Sequence, residues 1–86
     1  LAPEDPFIMD SMGWVQFRMG RLKEAENMLR HAYELRPDAE IAVHLGEVLW
    51  AKGQKEDAQK FWRDAQTKDP QNDTLKSTLA RLNVSL

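Results

Sequence analysis

At 86 residues, with 12 Lys plus Arg against 14 Asp plus Glu and no cysteine, the chain is sized for one domain whose core is too small to enclose a large cofactor. Its formal charge of −2 lacks the basic excess of a nucleic-acid binder or a polybasic membrane surface, and the missing thiols exclude a disulfide framework, a thiolate zinc site and a cysteine nucleophile. The longest stretch free of charge, Ser11 to Phe17, falls far below the ~20 apolar residues of a membrane helix, so no direct membrane insertion is expected. There is no signal peptide, and the start at Leu1 rather than Met reads as an excerpt from a longer protein, with residues 1–5 as a lead-in tail.

Five helices are predicted. Asp5-Pro6 supplies an N-cap and a proline at the first helical position, after which Ile8, Met12, Val15 and Met19 follow a 3.6-residue period up to Gly20. The second helix runs from about Leu22 to Leu35 on a stripe of Leu22, Ala25, Leu29 and Ala32, and Pro37 closes it. Asp38 caps the third, which carries Ile41, Leu45, Val48 and Leu49 up to Gly53. A fourth carries Ala58, Phe61, Trp62 and Ala65 up to Pro70, and a fifth starts at Asn72 or Asp73 with Leu75, Leu79 and Leu82 on its buried side and Lys76 and Arg81 facing outward. No window alternates with period two, so no strand is predicted.

The chain also repeats itself. A shift of 33 residues superposes Ile8 on Ile41, Gly13 on Gly46, Val15 on Val48, Gly20 on Gly53, Ala25 on Ala58, Arg30 on Arg63, Ala32 on Ala65 and Pro37 on Pro70. Small residues recurring at fixed offsets mark places where two backbones approach closely.

Gly13, Ala25, Leu29, Ala32 and Pro37, followed by Gly46, Ala58, Trp62, Ala65 and Pro70, resemble the tetratricopeptide repeat (TPR), a helix–turn–helix unit of 34 residues. The resemblance implies an all-α, right-handed TPR superhelix: residues 1–5 as the tail of a missing preceding repeat, one repeat over 6–38, a second over 39–71, and a C-terminal capping helix over 72–86. The pattern departs from the family in a one-residue shortening between Pro37 and Ala39, and in Gln16, which stands where a bulky apolar side chain is usual. Ala42 to Gly53 is also similar to the C-terminal repeats of long bacterial TPR proteins, some of them outer-membrane-associated lipoproteins, which leaves the cytoplasm and the periplasmic side of the envelope both open. A coiled coil is disfavoured by the Gly- and Pro-terminated segments.

What the resemblance implies about function is a protein-interaction scaffold without catalysis and without a cofactor; the alternative is a structural C-terminal cap of a longer TPR array whose main binding surface lies upstream. The family's groove positions fall on Phe7, Asp10, Ser11, Trp14, Phe17 and Arg18 of the first helix and on Glu40, Val43, His44, Glu47, Trp50 and Ala51 of the third. On the last helix they fall on Thr74, Ser77, Thr78 and Arg81. Members that clamp the terminal carboxylate of chaperones use Lys, Asn and Arg where this chain has Asp10, Trp14, His44, Thr74 and Thr78, so that partner is not expected. The groove is expected instead to be aromatic, with Trp14, Phe17 and Trp50 beside Val43, and rimmed by Asp10, Glu40 and Glu47, suiting an apolar, basic protein or peptide partner.

Glu40, His44 and Glu47 share one helix face, but a closed metal site needs ligands from a second element, so no metal is expected. Glu26 with Arg30, Glu56 with Lys60 and Asp64 with Lys68 place an acid four residues before a base and are read as helix supports. Finally, the Ile8, Met12, Val15 and Met19 stripe lies where a preceding repeat would pack, and is expected to serve as a self-association face, allowing a homodimer.

Overall fold

A computed structural model describes residues 5–86, which form five α-helices and, among the described residues, no strand: α1 (Pro6–Arg18), α2 (Leu22–Leu35), α3 (Ala39–Ala51), α4 (Lys55–Lys68) and α5 (Asp73–Leu82). Of the expected lead-in tail, residues 1–4 lie outside the described residues, and Asp5 is the N-cap of α1.

Local rules explain the boundaries, and they alternate along the chain. The odd-numbered helices each open on a side-chain cap. Asp5 Oδ1 accepts from the Phe7 amide at 2.9 Å, Asp38 Oδ2 from the Glu40 amide at 2.9 Å and Asn72 Oδ1 from the Leu75 amide at 2.8 Å. Each also closes through one left-handed residue: Gly20 (φ 82°), Gly53 (φ 87°) and Asn83 (φ 59°). The amide after that residue donates five positions back, Arg21 to Gln16 O at 2.9 Å, Gln54 to Leu49 O at 2.9 Å and Val84 to Leu79 O at 2.9 Å. By contrast, α2 and α4 follow the glycine turns without a side-chain cap and end at Arg36 (φ −149°, ψ 106°) and Asp69 (φ −148°, ψ 83°), both outside the helical region, as the proline after each requires. The ends of α5 therefore match those of α1 and α3, not those of α2 and α4.

The helices form two files. α1, α3 and α5 pack side by side, and α2 and α4 back them. The second file is splayed, α2 and α4 meeting through long side chains such as Tyr33 and Phe61, whose rings lie edge to face at 5.5 Å. The closer-packed file of α1, α3 and α5 is thus the inner, concave side of a body 42 × 26 × 18 Å in extent. α3 lies at the centre and is buried along most of its length, with Ile41, Ala42, Val43, Leu45, Val48 and Leu49 all inaccessible to solvent. Ala25, Leu29 and Ala32 of α2, Ala58, Trp62 and Ala65 of α4 and Leu75 of α5 complete the core.

Trp62 fixes the α3–α4 pair. Its indole lies so close to α3 that a Cβ on Gly46 would stand 2.4 Å from Nε1, and that N–H donates to the Val43 carbonyl at 3.2 Å. Between α2 and α3, Glu26 accepts from Arg30 at 2.7 Å on its own helix and also from Lys52 on the next. Burial pushes the Glu26 carboxyl up, but Lys52 and Arg30 together bring it below the ordinary value.

Candidate partner-binding groove

The inner side of the first-helix file draws its residues at helical spacing from three elements: Asp10, Trp14 and Phe17 from α1, Glu40, His44 and Glu47 from α3, and Thr74, Ser77, Thr78 and Arg81 from α5. Trp14 stacks on His44 with ring centroids 4.4 Å apart and on Phe17 at 4.9 Å. Behind the stack, His44 Nδ1 lies 2.8 Å from Asp10 Oδ1, and Nε2 faces Glu40 Oε2 at 3.9 Å. Burial disfavours the imidazolium, but the Asp10 hydrogen bond and the charges of Asp10, Glu40 and Glu47 outweigh it and raise the His44 pKa. One repeat further along, Arg81 Nη2 donates to Glu47 Oε1 at 2.6 Å. Asp10 with His44 and Glu47 with Arg81 are each 34 residues apart, so two ties of the same span link α1 to α3 and α3 to α5.

Between Trp14 and α5 a cavity of about 290 Å³ opens, bounded by Trp14, His44, Glu47, Asp73, Thr74, Ser77, Thr78 and Arg81. Glu47 and Thr78 are its buried members. Trp14, His44, Glu47 and the four α5 positions named from the sequence are therefore brought together at one place. Around them, Phe17 is half-buried against Trp14, and Asp10 is buried under His44. Ser11, Arg18 and Ala51 are exposed, the Ser11 hydroxyl bonding the Phe7 carbonyl at 3.1 Å, and Phe7 lies at the start of α1 beneath the Arg36 guanidinium at 5.4 Å.

Three expectations need correction. Val43 does not line the groove: it is fully buried within the hydrophobic core. Trp50 does not extend the Trp14 surface, because it packs 5.5 Å from the Trp62 ring with Lys55 Nζ 4.7 Å above it. Nor does the Arg81 guanidinium face outward, being bound to Glu47. The acidic rim is consequently partly neutralised from within, since Asp10 and Glu47 each hold a base of this chain. Both ties have a signal in the sequence, opposite charges one repeat apart on corresponding helices. Glu40, His44 and Glu47 do not converge on a metal position, and among the described residues no group of three His, Cys, Asp or Glu side chains does.

On the opposite side, a cleft of about 470 Å³ between α2 and α4 is lined by Arg30, Tyr33, Asp57, Lys60, Phe61 and Asp64. Its aromatic pair is covered by cations, Arg30 over Phe61 at 5.7 Å and Lys68 over Tyr33 at 4.9 Å.

A closer file of capped first helices backed by second helices defines an all-α helical-repeat protein. The model of the tetratricopeptide repeat family matches residues 16–82, and the chain belongs to that family. It is also similar to a TPR repeat-containing protein of Pseudomonas aeruginosa, with 55% identity over 47 residues, covering 55% of this chain and 8% of that protein. The chain thus spans only a small part of that relative's length. Its fold class is the TPR helical superhelix, and the repeats of this family are typically non-enzymatic modules for protein–protein interaction. None of the helices among the described residues is long and apolar enough to cross a membrane.

Proposed function

We propose that the inner face binds a peptide or helix of a partner protein, with Trp14 as its anchor and the cavity beside α5 as its specificity pocket. The repeats acting here are residues 6–38 and 39–71, with 72–86 as the capping helix. The observation that carries the reading is the position of Trp14. A large aromatic ring stands half-exposed at the junction of the two repeats, fixed by stacking on His44 and Phe17, at the mouth of a polar cavity. Rigid aromatics at the edge of a pocket are the side chains that most often dominate protein recognition. Trp14→Ala removes the anchor and leaves the residues of the buried core in place, so the helical fold is expected to persist, with melting lowered by the lost stacking on His44 and Phe17, while capture of partner proteins on the immobilised chain is lost. Capture of the same proteins by the folded variant would refute the assignment.

A second reading rests on a different observation. Ile8, Met12, Val15 and Met19 form an exposed apolar stripe along α1, and such a face is suited to packing on another helix, of a second copy or of further repeats in a longer protein. For the homodimer, sedimentation at rising concentration is the direct measurement, and a clean monomer throughout removes it.

A further inference from the structure

The groove reading leaves the chemistry of the partner open, and the Glu47–Arg81 pair supplies it. The two sides of this ion pair are unequally exposed: the Glu47 side chain is 9% accessible and the Arg81 side chain 56%. The carboxylate is a fixed feature of α3, next to Trp14 and His44 in the cavity wall, whereas the guanidinium arrives on a long, solvated arm from the last turn of α5. A buried carboxylate without a cation is unfavourable, so the site favours a positive group beside Glu47. It does not demand this particular one. Replacing one guanidinium by another leaves Glu47 desolvated to the same extent, and an exposed arginine gives up little on returning to water.

The other tie is different, since the side chains of Asp10 and His44 are only 12% and 18% accessible and Trp14 covers the imidazole. That pair is part of the wall. Charge points the same way, because the wall also carries Asp73, and Glu40 lies beside His44.

Resting on the groove reading, we infer that Arg81 is an internal stand-in for the partner: the groove takes a segment with an arginine or lysine side chain, which displaces Arg81 and pairs with Glu47. The α5 arm then acts as a built-in competitor that suppresses binding of weakly basic or neutral segments, a use of an unfavourable exchange to sharpen specificity.

The test uses the 86-residue chain and three short apolar peptides that differ in one central residue: arginine, lysine or citrulline, the neutral analogue of arginine. Binding is followed through the indole N–H of Trp14 by NMR. Arg81→Met removes the competing charge and keeps an aliphatic stem, and the methyl groups of Leu75, buried in the core, report whether α5 remains docked. The arginine and lysine peptides are expected to bind Arg81→Met about tenfold more tightly than the wild type, the gain if the arm occupies Glu47 about nine-tenths of the time. The citrulline peptide should show no such gain, and Glu47→Gln added to Arg81→Met should abolish it. Equal affinity in the wild type and Arg81→Met, a gain shared by citrulline, or a gain that survives Glu47→Gln overturns the inference. So does undocking of α5 in Arg81→Met, which would make the pair a structural pin. If peptides shift Trp14 without regard to charge, the inference fails and the groove stands. If no peptide shifts Trp14 in any variant, the groove reading fails with it.

Discussion

α1 and α3 carry the same apolar pattern and meet opposite fates. Ile41, Leu45 and Val48 are wholly buried, while their counterparts Ile8, Met12 and Val15 are 60%, 49% and 56% exposed. Neither periodicity nor capping accounts for this, because both helices open on an aspartate and close on a left-handed glycine. What differs is the neighbour. α2 packs across the face of α3, and no described element occupies the equivalent place on α1. The amphipathic pattern therefore specifies which face a helix can bury, and the next helix decides whether it is buried. The fourth pair shows the chemistry following suit: Lys52 reaches across to Glu26 of α2, and the corresponding position on the open face is the apolar, exposed Met19.

The largest expected effect tests that contrast directly. Leu45→Ala empties a fully enclosed site and should cost about 2–5 kcal/mol. Met12→Ala trims a half-exposed side chain and should stay within about 0.5 kcal/mol. Denaturant unfolding of the two variants gives both numbers. If Met12→Ala proved as costly as Leu45→Ala, the α1 face would be covered in solution, and a cost that grows with protein concentration would identify a second copy as the cover.

A smaller effect separates the two helix pairs at their closest approach. At Gly46 an added methyl meets the rigid Trp62 indole at 2.4 Å and forces it away from the Val43 carbonyl, an overpacking cost of about 1–3 kcal/mol. At Gly13 the nearest atom is Leu29 Cγ at 2.9 Å, on an aliphatic side chain that can turn, and the higher helix propensity of alanine offsets about 0.5–1 kcal/mol. Gly46→Ala should therefore lower the melting temperature clearly more than Gly13→Ala. Equal shifts would mean that Trp62 repacks as freely as Leu29.

These particular residues also show why the fold was readable and the groove only partly so. Asp5, Gly20, Asp38, Gly53 and Pro70 act through the backbone within a few residues of themselves, so their meaning survives without a structure. The same holds for Trp62, whose place followed from the family pattern and whose indole required an acceptor nearby. The groove depends on which residues face each other across helices, and that is set by crossing angles rather than by spacing. Val43 adjoins His44 in sequence yet is fully buried in the core, with its carbonyl accepting from the Trp62 indole. Trp50 sits a further two turns along and turns to the same indole. Arg81, on an exposed position of α5, bends inward because its stem is long enough to reach a buried carboxylate.

The smallest expected effect concerns the tie that holds the open repeat to the closed one. His44 joins α3 to α1 through Asp10, and the groups facing it are Asp10 and Trp14 on α1, Glu40 and Glu47 on α3, and Asp73 and Arg81 across the cavity. Burial opposes its charge, yet the Asp10 hydrogen bond and the surrounding carboxylates raise its pKa above the ordinary 6.5. A proton held more tightly in the folded chain than in the unfolded one stabilises the fold fully below 6.5, and that stabilisation fades as pH rises through the raised folded value. Glu26 runs the other way: its lowered pKa gives stability that is present above 4.5 and lost as pH falls, which keeps it outside the window. Thermal melts of the wild type and His44→Gln at about pH 6 and about pH 8.5 should then show a stability gap that narrows at the higher pH. A gap unchanged between the two would mean that Asp10 holds a neutral imidazole, and that the α1–α3 tie owes its strength to the hydrogen bond and the Trp14 stack alone.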